Sequence, residues 1–206
     1  MGRKLPNLAS ADIWMTPKCL FITPDTMSHL PALHQAVKDC DLPEVRRLLS
    51  SPDTDVNATD YVHFTPLMYA AKRHSSSSIT HLLLQHGADP DMTNNDDVTA
   101  VMLSCQHADR HLPVLQALLT HQTGDLVDLE ARNIWGSTAV MYAVMFNSPG
   151  CLRLLLDMGA RCGGTWSSWR NGREVMEMAR VWWQGEILDV LEEWSNKKIS
   201  ELLWIF

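Results

Sequence analysis

The sequence predicts an all-α repeat solenoid of about five stacked helix-pair units, with an irregular N-terminal arm and a Trp-rich C-terminal cap. Three observations predict it. A stretch of small and apolar residues recurs along the chain, each copy is followed by a second apolar stretch at helical spacing, and glycine or polar turns separate one pair from the next.

The recurring stretch reads Thr65-Pro66-Leu67-Met68-Tyr69-Ala70-Ala71, then 34 residues later Thr99-Ala100-Val101-Met102-Leu103-Ser104-Cys105, then 39 residues later Thr138-Ala139-Val140-Met141-Tyr142-Ala143-Val144. An earlier copy lies at Pro31-Ala32-Leu33-His34-Gln35-Ala36-Val37 and a degenerate one at Glu174-Val175-Met176-Glu177-Met178-Ala179-Arg180. Thr at the start of a copy suits a helix N-cap, because its hydroxyl can accept from an orphan backbone N–H, and Pro66 suits the first helical position. Ala70, Ala71 and Ala143 let helices approach closely. The second helices are marked by Val45, Leu48 and Leu49; Ile79, Leu82 and Leu83; Leu115, Leu118 and Leu119; Leu152, Leu155 and Leu156; and Ile187, Val190 and Leu191. Gly87 and Gly159 stand where a left-handed residue would close a helix. A helix pair this small cannot bury its apolar face alone and must stack on neighbours.

Thr65-Pro66-Leu67 with Ala70-Ala71, then Leu82-Leu83-Leu84, then Gly87-Ala88-Asp89 resemble the ankyrin-repeat family, whose pattern runs T-P-L-H-x-A-A, L-L and G-A-D. The resemblance covers about residues 31 to 194 and is weakest in the fifth unit. It implies a scaffold for protein interaction on a concave surface of turn tips and first helices. It also implies that Leu49-x5-Asp55-Val56-Asn57 is similar to the context in which oxygen-dependent hydroxylases modify asparagine, with Asn57 as acceptor; the alternative is that Asn57 closes its turn by side-chain hydrogen bonds.

Three segments are expected: an extended arm over 1–26, the repeats over 27–194, and a helical tail over 195–206. Pro6, Pro17 and Pro24 punctuate the arm. Six of the eight tryptophans (Trp166, Trp169, Trp182, Trp183, Trp194 and Trp204) follow residue 165, which is more apolar surface than a terminal cap should show, so the tail should cover the fifth unit through Ile199, Leu202, Leu203 and Phe206 or act as a docking peptide. The third unit is lengthened around Ala108-Asp109-Arg110-His111 and again at Gly124-Asp125-Leu126-Val127, and its loops should protrude. Ser75-Ser76-Ser77-Ser78 is read as a solvated turn.

At 46% apolar and 20% charged, 206 residues supply a substantial core. The net charge of -7 argues against binding nucleic acid or an anionic lipid surface. Five cysteines without a C-x-x-C pair look like reduced thiols, and no stretch approaches the length of a membrane span or a signal peptide, so a cytoplasmic or nucleocytoplasmic protein is expected. Pro6 stands where a myristoylation context needs Ser or Thr, and Leu203-Trp204-Ile205-Phe206 lacks a prenylatable Cys.

Cys105-x-His107-x-x-x-His111 is the candidate metal or catalytic constellation, and seven of the nine histidines lie between residues 63 and 121. Zinc needs three or four converging ligands. In the repeat register Cys105 faces the core while the histidines fall in a turn, so neither a metal nor a cofactor is expected. G-x-S-x-G, P-loop, G-x-G-x-x-G and H-E-x-x-H motifs are lacking, and enzymatic activity is not expected. Residues 61–130 carry three basic and eight acidic groups against eight of each over 131–206, consistent with plain solubility or with a graded surface that orients a charged partner.

The expected function is therefore a non-enzymatic scaffold for a protein partner. One alternative is an adaptor bringing a target to a larger complex such as a ubiquitin ligase; an alternative of another class is a metal-dependent hydrolase around Cys105, His107 and His111. The family's variable positions, carried onto this chain, give Tyr61, Val62, Phe64, Lys72 and Arg73 in the second unit; Asn95, Asp96, Val98, Gln106 and His107 in the third; Ile134, Trp135, Met145 and Phe146 in the fourth; and Arg170, Arg173 and Trp182 in the fifth.

Overall fold

The computed structural model describes residues 30–73, 77–107, 109–121, 127–161, 175, 179–180 and 185–203, with side chains as far as 197. Nine helices lie among them: α1 (Ala32–Lys38), α2 (Leu42–Leu49), α3 (Pro66–Ala71), α4 (Ser77–Gln85), α5 (Ala100–Ser104), α6 (Leu112–Thr120), α7 (Ala139–Met145), α8 (Pro149–Asp157) and α9 (Glu186–Leu203). They stack in two layers. First helices α1, α3, α5 and α7 pack in succession, second helices α2, α4, α6, α8 and α9 form the other layer, and each first helix packs on the second helix of its own unit. Four complete pairs are thus seen, and α9 is the second helix of the fifth unit. Val175 and Ala179, on the degenerate copy, are helical and buried.

The repeat signatures act locally as their chemistry requires. Thr65, Thr99 and Thr138 accept from the N–H groups of Met68, Met102 and Met141 at 3.2, 3.4 and 3.5 Å. At the far end, Gly87 (φ +85°) and Gly159 (φ +94°) take the left-handed conformation. This lets Ala88 donate to Leu83 O and Ala160 to Leu155 O, both at 3.0 Å, and so satisfies carbonyls that the end of a helix leaves open. One continuous core runs from Leu33 to Leu191, with Leu83, Leu118 and Leu155 wholly buried.

Two expectations are corrected. The described part of the long third-unit loop does not protrude. Asp109 (φ +44°) folds it onto the next unit, where its carboxylate accepts from the N–H groups of Gly150 and Cys151 at 2.8 and 2.9 Å, capping α8 from another repeat. Ser148 adds a hydroxyl donation to Cys105 O at 3.0 Å, and His111 is buried. The boundary placed at residue 194 falls inside α9, because Glu186–Leu203 is one helix and Trp194 packs against the core from within it. The arm, Trp166, Trp169, Trp182, Trp183 and Trp204, and the side chains of Ile199, Leu202, Leu203 and Phe206 lie outside the described residues.

Candidate functional site

Between a second helix and the next first helix the chain makes a tight hairpin, and one acidic or amide side chain builds each. Asp60 Oδ1 accepts from the N–H groups of Val62 (2.9 Å) and Phe64 (2.8 Å). Asn94 Oδ1 does the same for Asp96 (3.0 Å) and Val98 (2.9 Å), and Asn133 Oδ1 for Trp135 (3.0 Å) and Ser137 (2.8 Å). Asp and Asn do this because their short side chains reach their own backbone two residues on. His63, Asp97 and Gly136, each with positive φ, complete the turns. These anchors recur at the same 34- and 39-residue spacing as the threonines, so the signal stood in the sequence beside the one that was read.

The hairpins are tied to one another and to the helices. Asn95 N–H donates to Val62 O at 3.3 Å and Ile134 N–H to Asp96 O at 3.0 Å, joining three consecutive tips. Below the first tip the Tyr69 hydroxyl donates to Asp60 Oδ2 at 2.7 Å, and in the fourth unit Asn133 Nδ2 donates to the Tyr142 hydroxyl at 3.0 Å. Burial and the Asp60 carboxylate push the Tyr69 pKa up, and burial does the same to Tyr142. His34 of the first unit bonds Phe64 O through Nε2 at 3.0 Å, and burial lowers its pKa.

The expected interaction residues separate into three groups. Tyr61, Ile134 and Trp135 stand out at the tips with 49, 53 and 39% of their surface exposed, and Asn95, His107, Lys72 and Arg73 are also exposed. Val62, Phe64, Asp96, Met145 and Phe146 are half-buried, the last two and Phe64 packing on the core. Val98 and Gln106 are corrected. At 4% and 6% exposure they belong to the interior: Val98 closes the hairpin ladder through Asn94, and Gln106 lies where the third-unit loop folds down. Arg170, Arg173 and Trp182 lie outside the described residues.

Cys105 is wholly buried beside Cys151; that contact and desolvation raise its pKa, so the nucleophilic thiolate is disfavoured. The His107 and His111 rings sit 4.9 Å apart, His107 exposed and His111 buried. Among the described residues no group of three or more His, Cys, Asp or Glu is placed to hold a metal. Asn57 is half-buried, and both of its polar atoms reach the next unit: Oδ1 accepts from Asp89 N–H at 2.9 Å and Nδ2 donates to Gly87 O at 3.2 Å. Among the described residues no helix is long and apolar enough to cross a membrane.

Comparison with known proteins places this geometry. A family model described as ankyrin repeats (3 copies) matches residues 18–94 and 67–165. The chain is 36% identical over 133 residues to the B-cell lymphoma 3 protein homolog of Mus musculus, covering 62% of this chain and 29% of that protein. It is 34% identical over 131 residues to the B-cell lymphoma 3 protein of Homo sapiens, covering 62% and 28%. With the mitochondrial disaggregase of Bos taurus it shares 33% identity over 157 residues, covering 73% and 22%. The aligned regions thus span less than a third of each of these relatives.

Proposed function

The chain belongs to the ankyrin-repeat family, whose repeats are protein-interaction modules, and from that premise we propose that it is a non-enzymatic scaffold holding a protein partner on its hairpin tips and the first-helix ends behind them. The position of exposed apolar surface carries this reading. The large exposed hydrophobic side chains among the described residues are Tyr61, Ile134, Trp135 and Met158, and three of these four stand on tips joined in one row. Aromatic side chains on a surface that a partner can dry are the usual centres of binding energy. A cytoplasmic or nucleocytoplasmic setting is part of the proposal; it is supported by the free thiols of Cys105 and Cys151, and alkylation in intact cells followed by mass spectrometry checks it.

Affinity purification of the full chain with crosslinking identifies the partner and its footprint. Against that partner, Tyr61→Ala and Trp135→Ala should each cost about 2 kcal/mol or more of binding with the melting temperature nearly unchanged. A large loss of stability with normal binding would assign these rings to the fold and overturn the proposed face.

A further inference from the structure

At the first-unit end of the same face, two ammonium groups bracket a two-ring platform. Lys38, from the last turn of α1, places Nζ 5.6 Å from the centroid of the Tyr69 ring, and Lys72, just past α3, places its own 5.4 Å from that of Phe64. The two rings lie 5.3 Å apart, so the four side chains form one contiguous surface drawn from consecutive units.

We propose, on the reading that the tips and first-helix ends are the binding face, that this end of it takes an acidic, apolar-flanked segment of the protein partner, whose carboxylates meet Lys38 and Lys72 while its apolar side chains lie against Phe64 and Tyr69. The charge on the page favours this occupant. Among the described residues neither lysine has a carboxylate within ion-pairing distance; the ion pairs there are Arg47–Glu44 and Arg153–Glu193, both on other helices. The nearby carboxylates are engaged elsewhere: Asp39 accepts from Gln35 Nε2 at 2.8 Å, and buried Asp60 accepts from two backbone N–H groups and the Tyr69 hydroxyl.

A ring face attracts a cation only weakly compared with a carboxylate and leaves the rest of the ammonium to water. Lysines are compact point charges without the planar fork that arginine offers to phosphate, which favours single carboxylates over a phosphate group. The middle tip, with Asp96 and Asp97, has the opposite sign and would repel the same segment, so the charge pattern also sets its direction.

Selection from a random dodecapeptide display library, run on the full chain and on its Lys38→Gln/Lys72→Gln variant, tests this. The native chain should enrich peptides in which Glu or Asp neighbours Leu, Ile or an aromatic residue, and the variant should lose that acidic excess while melting as the native chain does. In a synthetic copy of a selected peptide, Gln in place of Glu should weaken binding roughly tenfold, the worth of one charged contact. No acidic excess, an excess that survives in the variant, or a phosphoserine copy that binds roughly tenfold tighter than the glutamate peptide would each overturn the proposal. Peptides that depend on Tyr61 or Trp135 but carry no acidic excess would sink it and leave the interaction face standing; peptides indifferent to the tips and to the lysines alike would sink both.

Discussion

The second and third units open in the same way and diverge in how they finish. Both begin with a threonine cap and a buried Leu or Val followed by Met. The second closes locally at one bond: α4 ends at Gln85, and the left-handed backbone of Gly87 just beyond it lets Ala88 satisfy the helix end from within the unit. The third has a shorter first helix, α5, and a long link, 105–111, to α6; for comparison, α7 and α8 are joined by only 146–148. It uses that extra chain to cap a neighbour. Asp109 closes the N-terminus of α8, and Ser148 from the fourth unit fastens the link in return. Both units are bonded to their neighbours, the second through Asn57 at the end of α4, and the lengthened repeat differs in that its link also caps a helix of the next unit.

The comparison holds only if the two cores are equivalent. Leu83 and Leu118 are both wholly buried in second helices, so Leu83→Ala and Leu118→Ala should each destabilise by about 2–5 kcal/mol through the cavity left behind. Chemical denaturation measures this; a third-unit value near zero would show that its core is looser and that the loop compensates for poor packing.

Next comes the cap that only the third unit supplies. Asp109→Ala should cost about 1–2 kcal/mol, the range for an N-cap aided by charge at a helix N-terminus. Gly150 sharpens this. A Cβ there would stand 2.9 Å from Asp109 Oδ2, so Gly150→Ala should destabilise the native chain. With Asp109→Ala already made, the same change should be neutral or stabilise by up to about 1 kcal/mol, because alanine is the better helix former. Additive effects in this double-mutant cycle would refute the cross-unit cap.

The second unit's own device should be worth somewhat less: Gly87→Ala forces a side chain into left-handed backbone and should cost about 1 kcal/mol, with open space around the new Cβ and no dependence on residue 109.

The smallest effect is confined to acid and belongs to the junction of the first and second units. Burial depresses the His34 pKa below its unfolded value of 6.5, so the unfolded chain binds a proton that the folded chain resists. The stability this residue contributes is present above that value and is lost as pH falls from it towards the folded pKa. Replacing His34 by Gln should flatten that slope in pH-dependent melting. The groups facing the ring include Asp60, which favours protonation, the Phe64 and Ala58 carbonyls, and the Tyr69 ring edge-on at 5.8 Å between centroids. An unchanged slope would remove His34 as its source.

The repeat was legible because stacking imposes a period on buried positions: Leu83 and Leu155 had to be apolar, Thr65 and Thr138 had to cap, and Gly87 and Gly159 had to turn. Tip exposure was legible for Tyr61, Ile134 and Trp135, since a variable position just before the cap projects outward. Val98 and Gln106 misled for different reasons. Gln106 shares its register with exposed Lys72 but lies in the long link that folds onto the fourth unit, whereas Val98 shares its register with half-buried Phe64 and buried Ser137 and is held inward by the Asn94 hairpin. Asp109 read as part of a protruding loop because its acceptor role depends on Gly150 and Cys151, about forty residues away, and no local pattern reports that pairing. The platform of Lys38, Phe64, Tyr69 and Lys72 was half seen, with Phe64 and Lys72 selected and the two residues that join them missed.

The hydrogen bonds from Asn95 to Val62 and from Ile134 to Asp96 bear on the kinetics of an encounter at the tips. They run backbone to backbone, so they hold the turns in place whatever side chains the tips carry. A partner docking there would find three turns already ordered and would lose little chain entropy on arrival. Substitutions at Tyr61 or Trp135 would then leave the association rate nearly untouched and shorten the lifetime of the complex, since a surface that needs no rearrangement is tuned through its off-rate.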